Sequence, residues 1–243
     1  MNIFQWFLAY GAVYAFFQIM PAFIHGQFAG PVGRSEAFDF LTPLVMIPVA
    51  LAVFFKLRKT AEMEGWRSLP YSRSSVAVLV LGLICYIEGH GLHLSANAID
   101  RLLGDQETTA LHQSVYVYDE VISHFIWDGG VLIIAAGLIL AGTRVNFPRL
   151  SWFQWAFLGG GAACFGFSYA VNAIEGQTLP LTLPGAALMA LICLWVYRKG
   201  RRRREYNVAA LFFLMSFLLG LALFAYWGIA HPGFPEFSEL GWI

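Results

Sequence analysis

The chain has 243 residues, of which 58% are hydrophobic and 12% charged, and its formal net charge is zero. Soluble domains carry roughly a quarter charged residues, so this composition excludes an ordinary soluble domain and favours a membrane-embedded chain. The main basic block lies at 198–204 beside an apolar run, which does not indicate nucleic-acid binding. The cysteines, Cys85, Cys164 and Cys193, lie inside apolar runs and predict buried thiols rather than a disulfide framework.

Seven apolar runs follow one another along the chain. Each approaches the ~20 residues that an α-helix needs to cross a ~30 Å hydrocarbon core. We therefore predict an all-α integral membrane protein, with about seven transmembrane helices in one bundle and a single domain over residues 1–243. The predicted spans are Ile3–Ile24, Phe38–Phe55, Ser75–Asn97, Val117–Ala141, Phe153–Asn172, Leu181–Tyr197 and Val208–Ala230.

The segments between the runs alternate in positive charge. Those after the second, fourth and sixth runs are basic, whereas the other three hold Arg34, Arg101 and no basic residue respectively. Lysine and arginine accumulate in cytoplasmic loops. The alternation predicts a cytoplasmic N-terminus, an extracytoplasmic C-terminus and a multi-pass protein of a bacterial-type inner (plasma) membrane.

Ionisable side chains in or next to the spans gather toward one side. In the predicted orientation they all fall in the outer half of the membrane or at its outer edge. Each such group inside a span costs about 2.5–3.5 kcal/mol on insertion scales, so each requires a partner or a function. These residues are His25, Glu36, Asp39, Glu88, His90, His93, Asp119, Glu120, His124, Asp128, Glu175 and His231.

The third and fourth runs hold the densest group of these residues. On an α-helix, His90 and His93 share one face of the third run, and Glu120, His124 and Asp128 share one face of the fourth. A short segment joins the two runs, so we expect antiparallel neighbours whose polar faces meet at similar depth. Imidazoles and carboxylates predict a divalent transition-metal site, with zinc favoured over iron and with His90, His93, His124 and Glu120 as ligands.

Three carboxylates are candidates for catalysis at this site. Glu120 and Asp128 are predicted to act as ligand or general base. Glu88 is a further candidate, although its helical phase directs it away from His90. His112 lies in the predicted loop between the two runs and is expected to be solvated and without a role. A hydrogen-bonded network that only packs the two helices is the structural alternative.

Three functions are compatible with this pattern. The favoured one is a metal-dependent integral membrane enzyme, a hydrolase of a lipid or other amphiphilic small molecule, with membrane lipids as its other partners and no nucleic acid. The alternative is a redox protein in which His90 or His93 pairs with His124 on a haem or other metal. A proton or metal-ion transporter is less favoured, because the inner half of the spans lacks matching polar groups.

Seven spans with intramembrane histidines resemble in architecture the zinc-dependent seven-pass hydrolases that include adiponectin receptors and alkaline ceramidases. The likeness is limited to architecture. The seventh run has no HxxxH pair before His231, and the predicted site lies on the opposite side of the membrane. No residue role is therefore transferred from that family. A retinal protein is excluded because the seventh run contains no lysine.

Overall fold

A computed structural model describes residues 1–30, 32–63, 71–104, 109–201 and 205–242. Within these ranges seven helices are long and apolar enough to cross a membrane, which confirms the predicted helical bundle. The α-helices are α1 (Ile3–Ile19), α2 (Arg34–Asp39), α3 (Leu41–Met63), α4 (Tyr71–Leu103), α5 (Ala110–Tyr116), α6 (His124–Gly142), α7 (Trp152–Glu175), α8 (Leu179–Arg201) and α9 (Val208–Ala230).

Short turns and strands extend or connect these helices. A 3₁₀ turn at Met20–Phe23 extends α1, and a π-helical turn at Val117–Ser123 joins α5 to α6 without a break. Two small antiparallel pairs link helix ends. They are β1 (Gln27–Ala29) with β2 (Val32–Gly33), and β3 (Asn146–Phe147) with β4 (Tyr206–Asn207).

The third and fourth spans are longer than predicted. Helix α4 continues six residues beyond Asn97 to Leu103, and helical structure resumes at Ala110. Thr109 caps α5 by accepting a hydrogen bond from the His112 backbone N–H at 3.2 Å. His112 is therefore a helical residue, with its Nδ1 3.0 Å from an Asp100 carboxylate oxygen, and the expectation of a solvated loop residue is corrected.

Six of the long helices form a closed ring. Around it, α1 contacts α3, α3 contacts α6, and the order continues through α8, α9 and α7 back to α1. Aromatic side chains fill the space between α1, α7 and α9, where Tyr10 stacks on Phe165 at 5.6 Å between ring centroids. Helix α4 lies outside the ring and packs chiefly on α6, so its opposite side faces away from the bundle.

Helices α4 and α6 approach so closely that glycine is required along their contact. A Cβ at Gly82 or at Gly130 would lie 2.6 Å from a backbone nitrogen of the facing helix. Gly89 and Gly137 stand seven residues further along their helices, and a Cβ at either would also collide with the facing backbone. Small residues at this spacing let two helix backbones touch. The third and fourth spans are thus direct neighbours, as the sequence predicts.

The two ends of the bundle differ in charge. At one end Phe4 contacts Phe147 at 5.2 Å between ring centroids, and the Asn207 side chain donates to the Gly142 carbonyl at 2.8 Å. This basic end also holds Lys56, Arg58, Lys59, Arg144, Arg149, Arg198 and Lys199. Arg67 and residues 202–204, which contribute to the predicted basic loops, lie outside the described residues. The ionisable residues predicted as a group lie toward the other end.

The glycine contact generates a stability prediction. Gly89→Ala should lower the free energy of unfolding by about 1–3 kcal/mol, because its methyl group has no room against the α6 backbone. Gly159→Ala on α7 is the control, since a Cβ at that position meets open space. Unfolding by denaturing detergent in mixed micelles measures both. Equal stability of the two variants would contradict the close approach.

Candidate functional site

The π-helical turn before α6 decides which carboxylate faces the histidines. Backbone hydrogen bonds in a π-turn join residue i to residue i+5, so residues five apart lie on the same side of the helix. Asp119 and His124 stand five apart across the turn Val117–Ser123. Regular α-helical phase predicts Glu120 in this position. The structure instead turns the buried Asp119 toward His124.

Asp119 and His124 meet His93 of α4. His93 Nδ1 lies 2.7 Å from Asp119 Oδ1 and 3.2 Å from His124 Nε2. One ligand atom from each of the three residues lies within 4.8 Å of the others. The Asn97 amide lies one helical turn beyond His93, with its Nδ2 3.1 Å from His93 Nε2. We call His93, Asp119 and His124 the His93–Asp119–His124 cluster.

The cluster is compatible with two arrangements of protons. If His93 carries its proton on Nδ1, it donates to Asp119 while its Nε2 accepts from the Asn97 amide, and the cluster is a hydrogen-bonded network. If the proton is on Nε2, the Nδ1 lone pair is free to bind a metal, and the amide oxygen of a rotated Asn97 side chain accepts from Nε2–H. Asn97 therefore orients His93 in either arrangement.

The spacing of the ligand atoms is near that of a metal site. Tetrahedral zinc with bonds of about 2.0–2.2 Å separates its ligand atoms by roughly 3.4 Å. The His93–His124 separation of 3.2 Å already fits, whereas the His93–Asp119 separation of 2.7 Å must open by roughly 0.7 Å. A carboxylate rotation on this scale leaves the helices in place. The three residues could supply three protein ligands to one metal ion once their ligand atoms, which lie within 4.8 Å of one another, adopt this spacing.

His90, which the sequence predicts as a ligand, lies apart from the cluster. Its side chain is only 1% exposed, and its Nε2 is 2.9 Å from the Asp39 carbonyl oxygen on α2. The Trp127 indole stands edge-on to the His90 ring at 4.6 Å between centroids and also contacts the rings of His93 and His124. His90 therefore joins α4 to α2 instead of entering the cluster.

The three predicted catalytic carboxylates occupy different places. Glu120 is half-buried and interacts electrostatically with Asp119 and His93, so it lies beside the cluster. Asp128 is 1% exposed and accepts hydrogen bonds from Asn172 Nδ2 at 2.7 Å and from the Thr178 hydroxyl. Its carboxylate thus ties α6 to the α7–α8 connection. Glu88 lies on the exposed side of α4, away from His90 as its helical phase indicates.

Gly176 gives His124 the space that it occupies. A Cβ at Gly176 would collide with His124 Nδ1, so any side chain here would displace the imidazole. Glycine follows the last residue of α7, and its N–H closes that helix by donating to the Asn172 carbonyl at 2.8 Å. The α7–α8 connection therefore touches both His124 and Asp128.

The C-terminal segment 231–242 folds over this end of α7 and α9. The Glu175 carboxylate accepts from the Phe237 backbone N–H at 2.7 Å, and Trp227 Nε1 donates to the Pro235 carbonyl at 3.0 Å. Burial raises the pKa of Glu236 above its usual range, and the neighbouring Glu175 carboxylate adds to this rise. The His231 ring packs against Trp227 at a tilt of 37°, with 4.2 Å between ring centroids, which gives it a packing role.

The remaining candidates from the sequence lie near the α1–α2 connection. Glu36 forms an ion pair with Arg101 of α4, with Arg101 Nη1 2.9 Å from Glu36 Oε2. His25 lines an open cleft of about 660 Å³ beside Arg101. Neither His25 nor Glu36 belongs to the three-residue group that could hold a metal.

Comparison with family models, curated proteins and solved structures finds no match to this chain.

The contact with Gly176 generates the second prediction. Gly176→Ala should weaken Co²⁺ binding to the cluster by roughly tenfold or more, as expected when a residue that orients a metal ligand is changed. The d–d absorption of Co²⁺ titrated into the purified protein gives the affinity. Gly159 lies in α7, the helix that ends just before Gly176, and a Cβ there would face open space. Gly159→Ala should therefore leave the Co²⁺ affinity unchanged. Unaltered binding in Gly176→Ala would show that His124 is not a ligand.

Proposed function

We propose that the chain is a multi-pass membrane protein whose basic end lies in the cytoplasm. Seven apolar helices of suitable length and a one-sided distribution of lysine and arginine support this orientation. It puts the N-terminus inside and the C-terminus outside, in a bacterial-type inner (plasma) membrane. His93 lies ten residues before the end of α4, so the cluster would sit roughly 15 Å below the outer end of that helix.

We further propose that the His93–Asp119–His124 cluster binds one divalent transition metal, with zinc favoured, and that the protein is a metal-dependent hydrolase. The convergence of three ligand atoms within 4.8 Å, from two helices and across a π-turn, carries this proposal. Two histidines, one carboxylate and an open position are the ligand set of hydrolytic zinc sites. Such an ion would polarise a substrate carbonyl and supply a nucleophilic water at neutral pH.

Glu120 is the proposed general base. It is half-buried next to Asp119 but outside the ligand group, so its carboxylate remains available for proton transfer. It would take a proton from the attacking water and return it to the leaving group as the ester or amide bond breaks. A substrate that reaches a site inside the apolar part of the bundle must itself dissolve there. The proposed substrate is therefore a lipid or another amphiphile.

The geometry favours this function over a haem protein and over a transporter. Two histidines that hold a haem must stand on opposite faces of the flat macrocycle, but the nearest nitrogens of His93 and His124 are only 3.2 Å apart. A transporter needs polar groups along the whole path. The three-residue metal group lies at one end, and the described core between α1, α7 and α9 is filled by aromatic rings.

Metal content of point variants tests the ligand set. Asp119→Ala and His124→Ala should each lose bound metal, because two ligands do not retain it, whereas His90→Ala should keep one ion per chain. Glu120→Gln should also keep the ion and lose hydrolysis, because only the base is removed. Elemental analysis of purified protein, with a panel of amphiphilic ester and amide substrates, measures both. Loss of metal in Glu120→Gln with retention in Asp119→Ala would restore the α-helical prediction and contradict the π-turn.

Reporter fusions test the orientation. A reporter placed after Gly200 should be active only as a cytoplasmic fusion, and one placed after the C-terminal residue only as an extracytoplasmic fusion. The reason is the concentration of positive charge at the end of α8. The reverse pair of activities would move the cluster to the cytoplasmic side.

A further inference from the structure

Glu88 is a carboxylate without a partner among the residues that the structure describes. Helix α4 runs from Tyr71 to Leu103, and Glu88 stands near its midpoint, on the side turned away from the ring. Within the described residues no group forms a hydrogen bond or an ion pair with it. In a membrane this carboxylate would face the middle of the hydrocarbon, where an unpaired ionisable group is most costly. The metal chemistry proposed above makes no use of it.

The residues on both sides of Glu88 form one continuous exposed face of α4. Exposed or half-exposed residues follow one another at alternating steps of three and four, the spacing at which one helix packs along another. Gly91 and Ser95 make the surface shallow on one side of Glu88, and a Cβ at Gly91 would meet open space. The Ser95 hydroxyl is satisfied by the Gly91 carbonyl at 2.7 Å. The full seam consists of Ala77, Leu81, Ile84, Glu88, Gly91, Ser95, Ala98 and Leu102.

We infer that this seam is the interface of a parallel homodimer, in which α4 packs against α4 of a second copy and the two Glu88 carboxyl groups hydrogen-bond to each other. The inference rests on the membrane insertion proposed above and is independent of the metal. The seam extends along most of α4, and Glu88 is its one ionisable member. A second helix packed on this seam would bury the Glu88 carboxylate and fill the shallow surface at Gly91 and Ser95.

Symmetry favours a second copy as the partner. Two copies inserted in the same direction are related by a twofold axis along the membrane normal, so each residue of α4 meets its counterpart at the same depth. A carboxyl group is complementary to another carboxyl group when at least one of them holds a proton, since one then donates and the other accepts. The described exposed surface at mid-span offers no lysine or arginine that could pair with Glu88 in a head-to-tail contact.

The test measures the oligomeric state of the full chain in lipid nanodiscs and in detergent. Wild-type protein should be a dimer by light scattering. Glu88→Leu should raise the dimer dissociation constant by roughly tenfold, the effect of a hydrogen-bonded polar pair between spans. Glu88→Gln should remain dimeric, because paired amides also donate and accept. Gly91→Leu should be monomeric, because its side chain fills the groove without touching its own chain.

Leu188→Ala on α8 is the control, since it changes an exposed apolar residue on a different surface and should leave the dimer intact. Bound metal is measured in every sample and should be the same in all of them. Loss of the dimer can then be distinguished from loss of the metal site. A monomeric wild-type protein, including one that associates only with a different membrane protein, would overturn the inference. A dimer that persists unchanged in both Glu88→Leu and Gly91→Leu would overturn it as well.

Discussion

The direct backbone contact between α4 and α6 is the constraint on which the candidate site depends. His93 lies on α4. Asp119 lies in the π-helical turn before α6, and His124 is the first residue of α6. Their side chains are short, so they meet only if the helix axes are close. Glycines at seven-residue spacing on both helices provide that closeness, and the Gly89 position lies within one turn of His93. Packing of apolar spans thus brings the polar groups together, and the polar groups need not hold the helices themselves.

The π-turn adds a second, local constraint. One turn of i to i+5 hydrogen bonding shifts the phase of the rod, so the residues before it point differently from those on α6. Asp119 faces His93 as a result, and Glu120 lies beside the cluster rather than within it. In the proposed hydrolase, the same shift would separate the metal-binding carboxylate from the carboxylate that acts as general base. A ligand carboxylate is fixed by its contacts, whereas a base carboxylate must remain free to exchange a proton.

Much of this arrangement is predictable from the sequence, and the part that is not has clear physical reasons. Apolar runs of suitable length predict the spans, and the placement of ionisable residues predicts that His93 and His124 meet near one end of the bundle. The choice of Glu120 over Asp119 fails to match the cluster because it assumes unbroken α-helical phase. The separation of His90 from the cluster depends on Trp127 and on Asp39 of α2, two tertiary contacts that no periodicity encodes. The helical position of His112 follows from the Thr109 cap, a local signal that the sequence does contain.

We propose that His93, Asp119 and His124 bind one metal ion together. X-ray absorption spectroscopy of the purified, zinc-loaded protein tests it most directly, because the fine structure reports the ligand atoms and the multiple scattering of imidazole rings. We expect one zinc per chain, two imidazole nitrogens and a carboxylate oxygen at about 2.0–2.2 Å, and a further light atom in the fourth position. A spectrum without imidazole scattering, or a protein that retains no zinc, would contradict it. The cluster would then be a hydrogen-bonded network that packs α4 against the π-turn.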